Sequence, residues 1–214
     1  LQKDGQGTIW AGTYFGGVNY FNPEYAIYRF FQKEDNPSEG LSSPIVGNML
    51  EDKRGHIWIC TEGGGLNCYN ADTGIFTRYQ HRKGDASSMR SNNLKSIFYR
   101  KENERLYVGA HLGGIFVLDL KSNKGHTLHN IVGDPTSLPH EIVNDIQEYK
   151  DGLALLTQGG VAFMDPVTEK FSPLSNDVNV RKLLNKRYAF ETFLIDSRQR
   201  MWLASVNGGV ICVD

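Results

Sequence analysis

The chain has 214 residues, with 23 Lys and Arg against 24 Asp and Glu, so its formal net charge is −1. That balance gives no global pull toward nucleic acid or an anionic membrane, and a 40% hydrophobic, 22% charged composition excludes a disordered chain. No apolar run approaches the roughly 18 residues of a membrane span, while 23 glycines stand above the usual level of about 7%.

The amino end, Leu1-Gln2-Lys3-Asp4-Gly5, has neither an initiator Met nor an apolar signal segment and is expected to be the interior of a longer protein. A strand around Ile9-Trp10 follows the turn Asp4–Gly7, and a second turn, Tyr14-Phe15-Gly16-Gly17, leads into Val18. Next come the linker Asn36-Pro37-Ser38 and a strand over Ile45–Glu51. Asp52-Lys53-Arg54-Gly55 makes a tight turn. His56–Thr61 is a strand with Ile57 and Ile59 on one face and Trp58 and Cys60 on the other. Glu62–Gly65 turns the chain with glycine where positive φ is needed, and Leu66–Tyr69, the Asn/Asp turn Asn70–Gly74 and Ile75–Gln80 complete the unit.

This order recurs. Gly-Gly followed by a branched aliphatic appears five times, its second glycines at Gly17, Gly65, Gly114, Gly160 and Gly209, stepping by 48, 49, 46 and 49 residues. Seven residues before each stands Trp10, Trp58, Tyr107, Leu153 or Trp202. Six before the three tryptophans stands Asp4, Asp52 or Asp196. Such a period fits the four-stranded blade of a β-propeller. Helical repeats would need apolar spacings of three and four, which no unit has. Units fall near 1–44, 45–93, 94–141, 142–187 and 188–214. The first has at most Leu1-Gln2-Lys3 for its innermost strand, and the last stops after its third. Three full blades flanked by two three-stranded ones, about 18 strands, are expected. With those gaps in different blades, the arc should not close on itself and belongs to a larger ring.

Asp52-Lys-Arg-Gly55-His-Ile57-Trp58-Ile-Cys-Thr61-Glu-Gly-Gly64-Gly65-Leu66 resembles the two-component regulator propeller repeat, D-x-x-G-x-I-W-I-G-T-x-x-G-G-L. Asp4–Val18 matches it at nearly every slot. Asn36-Pro37-Ser38 and Gly133–Leu138 resemble its N-P-x-S-L linker. The likeness is strong in the first two units, fair in the third and fifth, and poor in the fourth. It implies an all-β segment of a seven-bladed type of propeller, from the periplasmic sensor region of a hybrid histidine kinase of Bacteroidetes type. In such proteins blades precede a small β-sandwich, a membrane helix and a cytoplasmic kinase. The family implies sensing of glycan-derived oligosaccharides to control transcription, without catalysis or a cofactor in this segment. Implied partners are the oligosaccharide, the remaining blades and ectodomain, and a second copy of the chain, but no nucleic acid.

The tryptophans recur by structural equivalence and are expected to pack between blades; the aspartates should cap their turns. Cys60, Cys68 and Cys212 occupy apolar or small slots and are expected to be buried thiols, a Cys60–Cys68 disulfide being the alternative if the compartment is oxidising. The six histidines show no metal-ligand spacing. The Gly-Gly pairs precede strands, so they form no phosphate loop. Function is expected where the repeat varies, on the face carrying the Gly-Gly turns and the connections between blades. Ligand-binding candidates there are Tyr14, Phe15, Glu62, Arg90, His111, His140, Gln158 and Asn207, with Glu39, Asn92, Asn93 and Glu141 on the connections. Aromatic faces among hydrogen-bonding groups suit a sugar. Asn176–Arg187 departs from the linker pattern and is basic near its end; it is expected to be a short surface helix, the alternative being an insertion that binds a partner or an acidic ligand. Two other readings stand beside the sensor: a propeller lyase with His111 or His140 as base and Glu62 as acid, and a purely structural or dimerising segment.

Overall fold

The computed structural model describes residues 1–22, 27–173, 190–206 and 208–213, residues 27 and 28 by backbone alone. The described residues form five antiparallel sheets and no helix. The first blade comprises β1 (Gln2–Lys3), β2 (Ile9–Thr13), β3 (Gly17–Asn22) and β4 (Ile27–Phe31). The second comprises β5 (Val46–Glu51), β6 (His56–Thr61), β7 (Gly65–Asn70) and β8 (Ile75–Tyr79). The third holds β9 (Leu94–Arg100), β10 (Arg105–Ala110), β11 (Ile115–Asp119) and β12 (Lys124–Leu128). The fourth holds β13 (Val143–Tyr149), β14 (Gly152–Thr157), β15 (Gly160–Met164) and β16 (Phe171–Pro173). The fifth has three strands, β17 (Phe190–Ile195), β18 (Met201–Ser205) and β19 (Gly209–Val213). Strands lie in each sheet in chain order, an up-and-down meander whose first strand is innermost.

Four sheets are therefore four-stranded and one three-stranded, with 19 strands among the described residues rather than about 18. The difference is β1. The Asp4 turn folds the amino end back so that Gln2 and Lys3 pair with Trp10 and Ile9. Asn176–Arg187, the expected helix, lies outside the described residues.

The recurring aspartate does more than cap. Asp52 Oδ1 accepts the backbone N–H groups of Arg54 and His56 at 2.8 and 3.1 Å, while Oδ2 accepts the Trp58 indole N–H at 2.9 Å. Asp4 does the same for Gln6, Thr8 and Trp10, and Asp196 for Arg198, Arg200 and Trp202. One carboxylate thus satisfies a turn and the polar edge of the large side chain six residues on, which a buried tryptophan needs. The third blade substitutes Asn103, whose amide donates to the Tyr107 hydroxyl. The fourth uses no such bond: Leu153 follows a tight turn with Lys150 at φ 52°.

In the second, third and fourth blades, alternation along the middle strand buries both faces. Ile57 and Ile59 pack with Trp10 and Val18 of the first blade, whereas Trp58 and Cys60 pack with Leu94, Leu106 and Val108 of the third. The third seam is filled by Tyr107, Val117, Leu153 and Leu155, and the fourth by Leu156, Phe193 and Leu203. On the outer edge the linkers cover the last strand of the following blade. Ser38 O accepts Phe76 N and Thr136 O accepts Phe171 N, at 3.0 and 2.9 Å, which protects an edge otherwise open to pairing. Leu41, Met89 and Leu138 plug the linkers into the core.

Two expectations need correction at the fifth blade. Trp202 is 36% exposed and Cys212 is exposed, because no described strand covers that face. The Trp202 ring is met instead by the Arg200 guanidinium, 5.3 Å from its centroid. Cys60 and Cys68 are free and buried. They are not opposite each other: Cys60 pairs with Leu66, and Cys68 with Trp58. Burial pushes the Cys60 thiol well above its ordinary value and the Cys68 thiol, also beside Asp52, up to about 12. Both are inert at neutral pH.

Candidate functional site

The Gly-Gly turns and the blade connections share one rim and are hydrogen-bonded to each other. Glu62 N donates to Ile45 O at 3.0 Å, Gly65 N to Asn92 O at 3.0 Å, and His111 N to Asn93 O at 2.7 Å. Gly113 N and Gly114 N both donate to Glu141 O, and Gln158 N to Ile142 O. Gly65 has φ +80°, and a Cβ there would overlap the Tyr79 carbonyl oxygen, so the last strand of the blade lies directly on the turn. In three blades a threonine hydroxyl closes the turn, Thr13 on Gly17 O, Thr61 on Gly65 O and Thr157 on Gly160 O. The scaffold is constant and the tip residues vary, which is how binding loops are carried on a rigid frame.

The innermost strands contribute what the sequence pattern did not disclose. Each of β5, β9, β13 and β17 slips register against its neighbour near its start. The breaks fall between Val46 and Met49, between Leu94 and Ser96, between Val143 and Asp145, and between Phe190 and Thr192. One extra residue per strand is a β-bulge, a device that re-aims a side chain and is common beside functional sites. In the last three it falls at Lys95, Asn144 and Glu191. These residues, with Asn48, Asp145, Thr192 and Glu62, line one polar cavity of about 270 Å³ at the mouth of the central channel. A second space of about 250 Å³, lined by Glu62, Asn93, Lys95 and His111, shares two of these walls and extends it toward the Gly-Gly rim.

Inside this groove some polar groups are engaged and others are not. Asp145 accepts the Thr192 hydroxyl at 2.7 Å and Phe193 N at 3.2 Å, and Asn144 donates to Phe190 O at 3.2 Å, stitching the fourth blade to the fifth. Lys95 is half-buried and has no hydrogen bond or ion pair among the described residues. His111 Nδ1 is buried without a hydrogen-bond partner. Lys95, the exposed Glu62 carboxylate, His111 and the Asn48 and Asn93 amides therefore line two adjoining spaces that share Glu62 and Lys95.

Of the sequence candidates, Glu62 and His111 are brought together here. Tyr14 and Phe15 form an edge-to-face pair, ring centroids 4.6 Å apart, and each is 70% exposed, but they stand on the first blade's turn and line neither space. Arg90 faces Glu141 at 3.6 Å. His140 Nδ1 accepts Ile142 N at 3.1 Å, a bond that spends this nitrogen on its own loop. Gln158 is exposed at its turn. Asn207 lies outside the described residues. The residues that sequence reasoning missed are Asn48, Lys95, Asn144, Asp145, Glu191 and Thr192. Their signal was present: polar residues at steps near 48, each set three residues long or less between apolar anchors, as in Leu94-Lys95-Ser96-Ile97 and Val143-Asn144-Asp145-Ile146.

Residues 40–63 match the family described as two component regulator propeller. No curated protein matches the chain in sequence. Among solved structures, it is similar over its whole length to the extracellular domain of the hybrid two component system BT3049 of B. thetaiotaomicron, at 20% identity and a TM-score of 0.73. It is also similar over its whole length to the extracellular domain of BT4673 of the same organism, at 23% identity and 0.76. A third likeness, 15% identical with a TM-score of 0.69 over 98% of this chain, is to PorZ, a surface component of the type-IX secretion system of Porphyromonas gingivalis. The chain spans 33%, 29% and 31% of these three chains. The fold is thus an arc of a β-propeller carrying the two component regulator repeat.

Proposed function

We propose that this propeller arc is a non-catalytic, extracytoplasmic ligand-binding module of a two-component sensor, and that its ligand is an oligosaccharide held at the channel mouth. The observation that carries the reading is the set of bulges in four successive innermost strands, which turn variable polar residues into one groove bordered by the Gly-Gly rim. The likeness to extracellular domains of two component systems supports the sensor class and a periplasmic location. A sugar suits a groove lined by amides, a lysine, an imidazole and a carboxylate because it presents many hydroxyls that both donate and accept. The remaining blades of a larger ectodomain are the proposed partners at the exposed outer faces of the first and fifth sheets, where Ile9, Leu194 and Val210 lie open. Signal would pass by population shift, since a ligand moves an equilibrium only by its differential affinity for two states.

Calorimetric titration with oligosaccharides released from plant and host polysaccharides tests this. Binding that falls at least tenfold in Lys95→Ala and in Glu62→Gln, with unchanged thermal stability, is expected. No binding to any fragment, or binding indifferent to both changes, would remove the channel mouth as the site. Glu62 beside His111 is the pair a lyase reading would use. Turnover of a bound fragment, lost in His111→Ala, would favour that reading over the sensor.

A further inference from the structure

Two walls of the channel-mouth groove belong to different blades. Asn144 and Asp145 come from β13 of the fourth, Glu191 and Thr192 from β17 of the fifth. A row of side-chain to backbone bonds joins these strands at the channel. Asp145 Oδ2 accepts Phe193 N at 3.2 Å as well as the Thr192 hydroxyl at 2.7 Å. Two residues on, Gln147 Oε1 accepts Ile195 N at 3.2 Å, while the Gln147 amide donates to Phe193 O. Asn144 adds its bond to Phe190 O. β17 is the edge strand on the channel side of its sheet. The carboxylate and amide of β13 take its edge groups as a neighbouring strand would.

The preceding seam is joined differently. One and three places past its bulge, β9 has Ser96 and Phe98 where β13 has Asp145 and Gln147. The Ser96 hydroxyl donates to Val143 O at 3.3 Å. Phe98 stands opposite Tyr107 and packs in the core between the third and fourth blades, whereas Gln147 stands opposite Ala154. At this level the fourth–fifth seam has an amide and a methyl group in place of two rings. Apolar packing holds that seam away from the channel, through Leu156, Phe193 and Leu203. Its channel edge is held by polar bonds, and a strand edge released there finds water as its new partner. Such contacts open locally at less cost than a packed core.

We infer that Asp145 and Gln147 form a clasp that docks the inner strand of the fifth blade, and that occupancy of the channel mouth tightens it. The inference rests on the channel-mouth reading and adds its regulation. A molecule that touches Asn144 on one wall and Thr192 on the other meets both only while the clasp is shut, so it binds the docked state better. By linkage, the factor by which opening weakens binding is the factor by which binding suppresses opening. Gln147 lines neither space of the groove. It is a positioning residue, acting through β17, and the clasp gives the sensor an element with two arrangements.

Amide hydrogen exchange, followed by ¹⁵N NMR on the chain, tests the clasp without ligand. Gln147→Met, a change of similar length, should speed exchange at Ile195 by about tenfold. Asp145→Ala should do the same at Phe193, whereas Asp145→Asn keeps an acceptor there and should preserve the protection. Ala154 and Leu155, on the middle strand β14, should be unchanged in all three variants. Uniform acceleration, or none at Phe193 and Ile195, overturns the clasp. The coupling is read with tetrasaccharides of glucose, xylose, galactose and N-acetylglucosamine. One that binds the native chain should slow exchange at both amides by about fivefold at saturation and bind Gln147→Met about fivefold more weakly. A sugar whose binding falls in Lys95→Ala, yet which binds Gln147→Met as well as the native chain or leaves the two amides untouched, overturns the coupling and spares the site. Binding indifferent to Lys95→Ala, or no binding by any of the four, overturns the channel mouth and the coupling together.

Discussion

The second and fourth blades solve the same packing problem with different chemistry. In the second, an indole in the repeat slot is fixed by Asp52, whose carboxylate also organises the preceding turn. In the fourth, that slot holds Leu153, fully buried, on a middle strand whose six residues are all buried. Its turn shrinks to two residues and is held from the neighbouring blades, Lys150 N donating to Gln199 Oε1 and the Arg100 guanidinium to Asp151 O, each at 3.3 Å. A large aromatic brings a polar N–H that must be satisfied, so tryptophan and aspartate come together; leucine brings none and releases the turn. What the blade requires is a filled seam. The aspartate is required only by the tryptophan.

Stability measurements on single variants can break this comparison. Trp58→Ala should be the most damaging, costing about 3–5 kcal/mol through the seam cavity it opens, read as a lowered urea midpoint. Leu153→Ala should cost about 2–4 kcal/mol, because the buried volume removed is smaller. Next, Asp52→Ala should cost roughly 2–3 kcal/mol, since it strands the Trp58 N–H in the seam, whereas Asp151→Ala in the fourth blade should stay within about 0.5 kcal/mol. A double cycle of Asp52→Ala with Trp58→Leu sharpens the point: once the indole is gone, the aspartate should lose most of its worth. Equal costs for Asp52→Ala in the presence and absence of the indole would show that the cap alone matters.

The same contrast explains what could be seen in the sequence. Gly-Gly, the tryptophan slot and the aspartate recur at fixed separations because they sit on one short strand–turn–strand unit. Local spacing there is rigid, and the strands of the second blade were placed to within a residue. The role of the aspartate as a turn cap was legible; its bond to the indole was not, because six residues apart in sequence says nothing of distance until the strand is drawn. The bulged residues were hidden for a different reason. An inserted residue shifts the alternation of side chains by one, so Lys95 and Asn144 look like ordinary outward positions. Tyr14 and Phe15, aromatic and variable, match the expected chemistry, but they stand on the first blade's turn and line neither space of the groove.

The weakest form of the aspartate–tryptophan unit is in the fifth blade, and acid is the way to probe it. Asp196 is held well below the usual carboxylate range, first by the Trp202 indole and then by the backbone N–H and guanidinium of Arg200. A carboxyl whose folded value is depressed contributes stability that is complete above its unfolded value, about 3.9, and is lost as pH falls through the folded one. Asp196→Asn removes that contribution, so the variant should unfold at lower urea than the native chain at about pH 5, and the gap should narrow as pH drops below about 3. Because Asp196 and Trp202 are solvent-accessible, the effect should be smaller than any change in the second blade and should shrink with added salt. A gap that stays constant across this range would mean that the indole and turn are held by hydrogen bonding to either form of the side chain, and that charge contributes nothing to the latch.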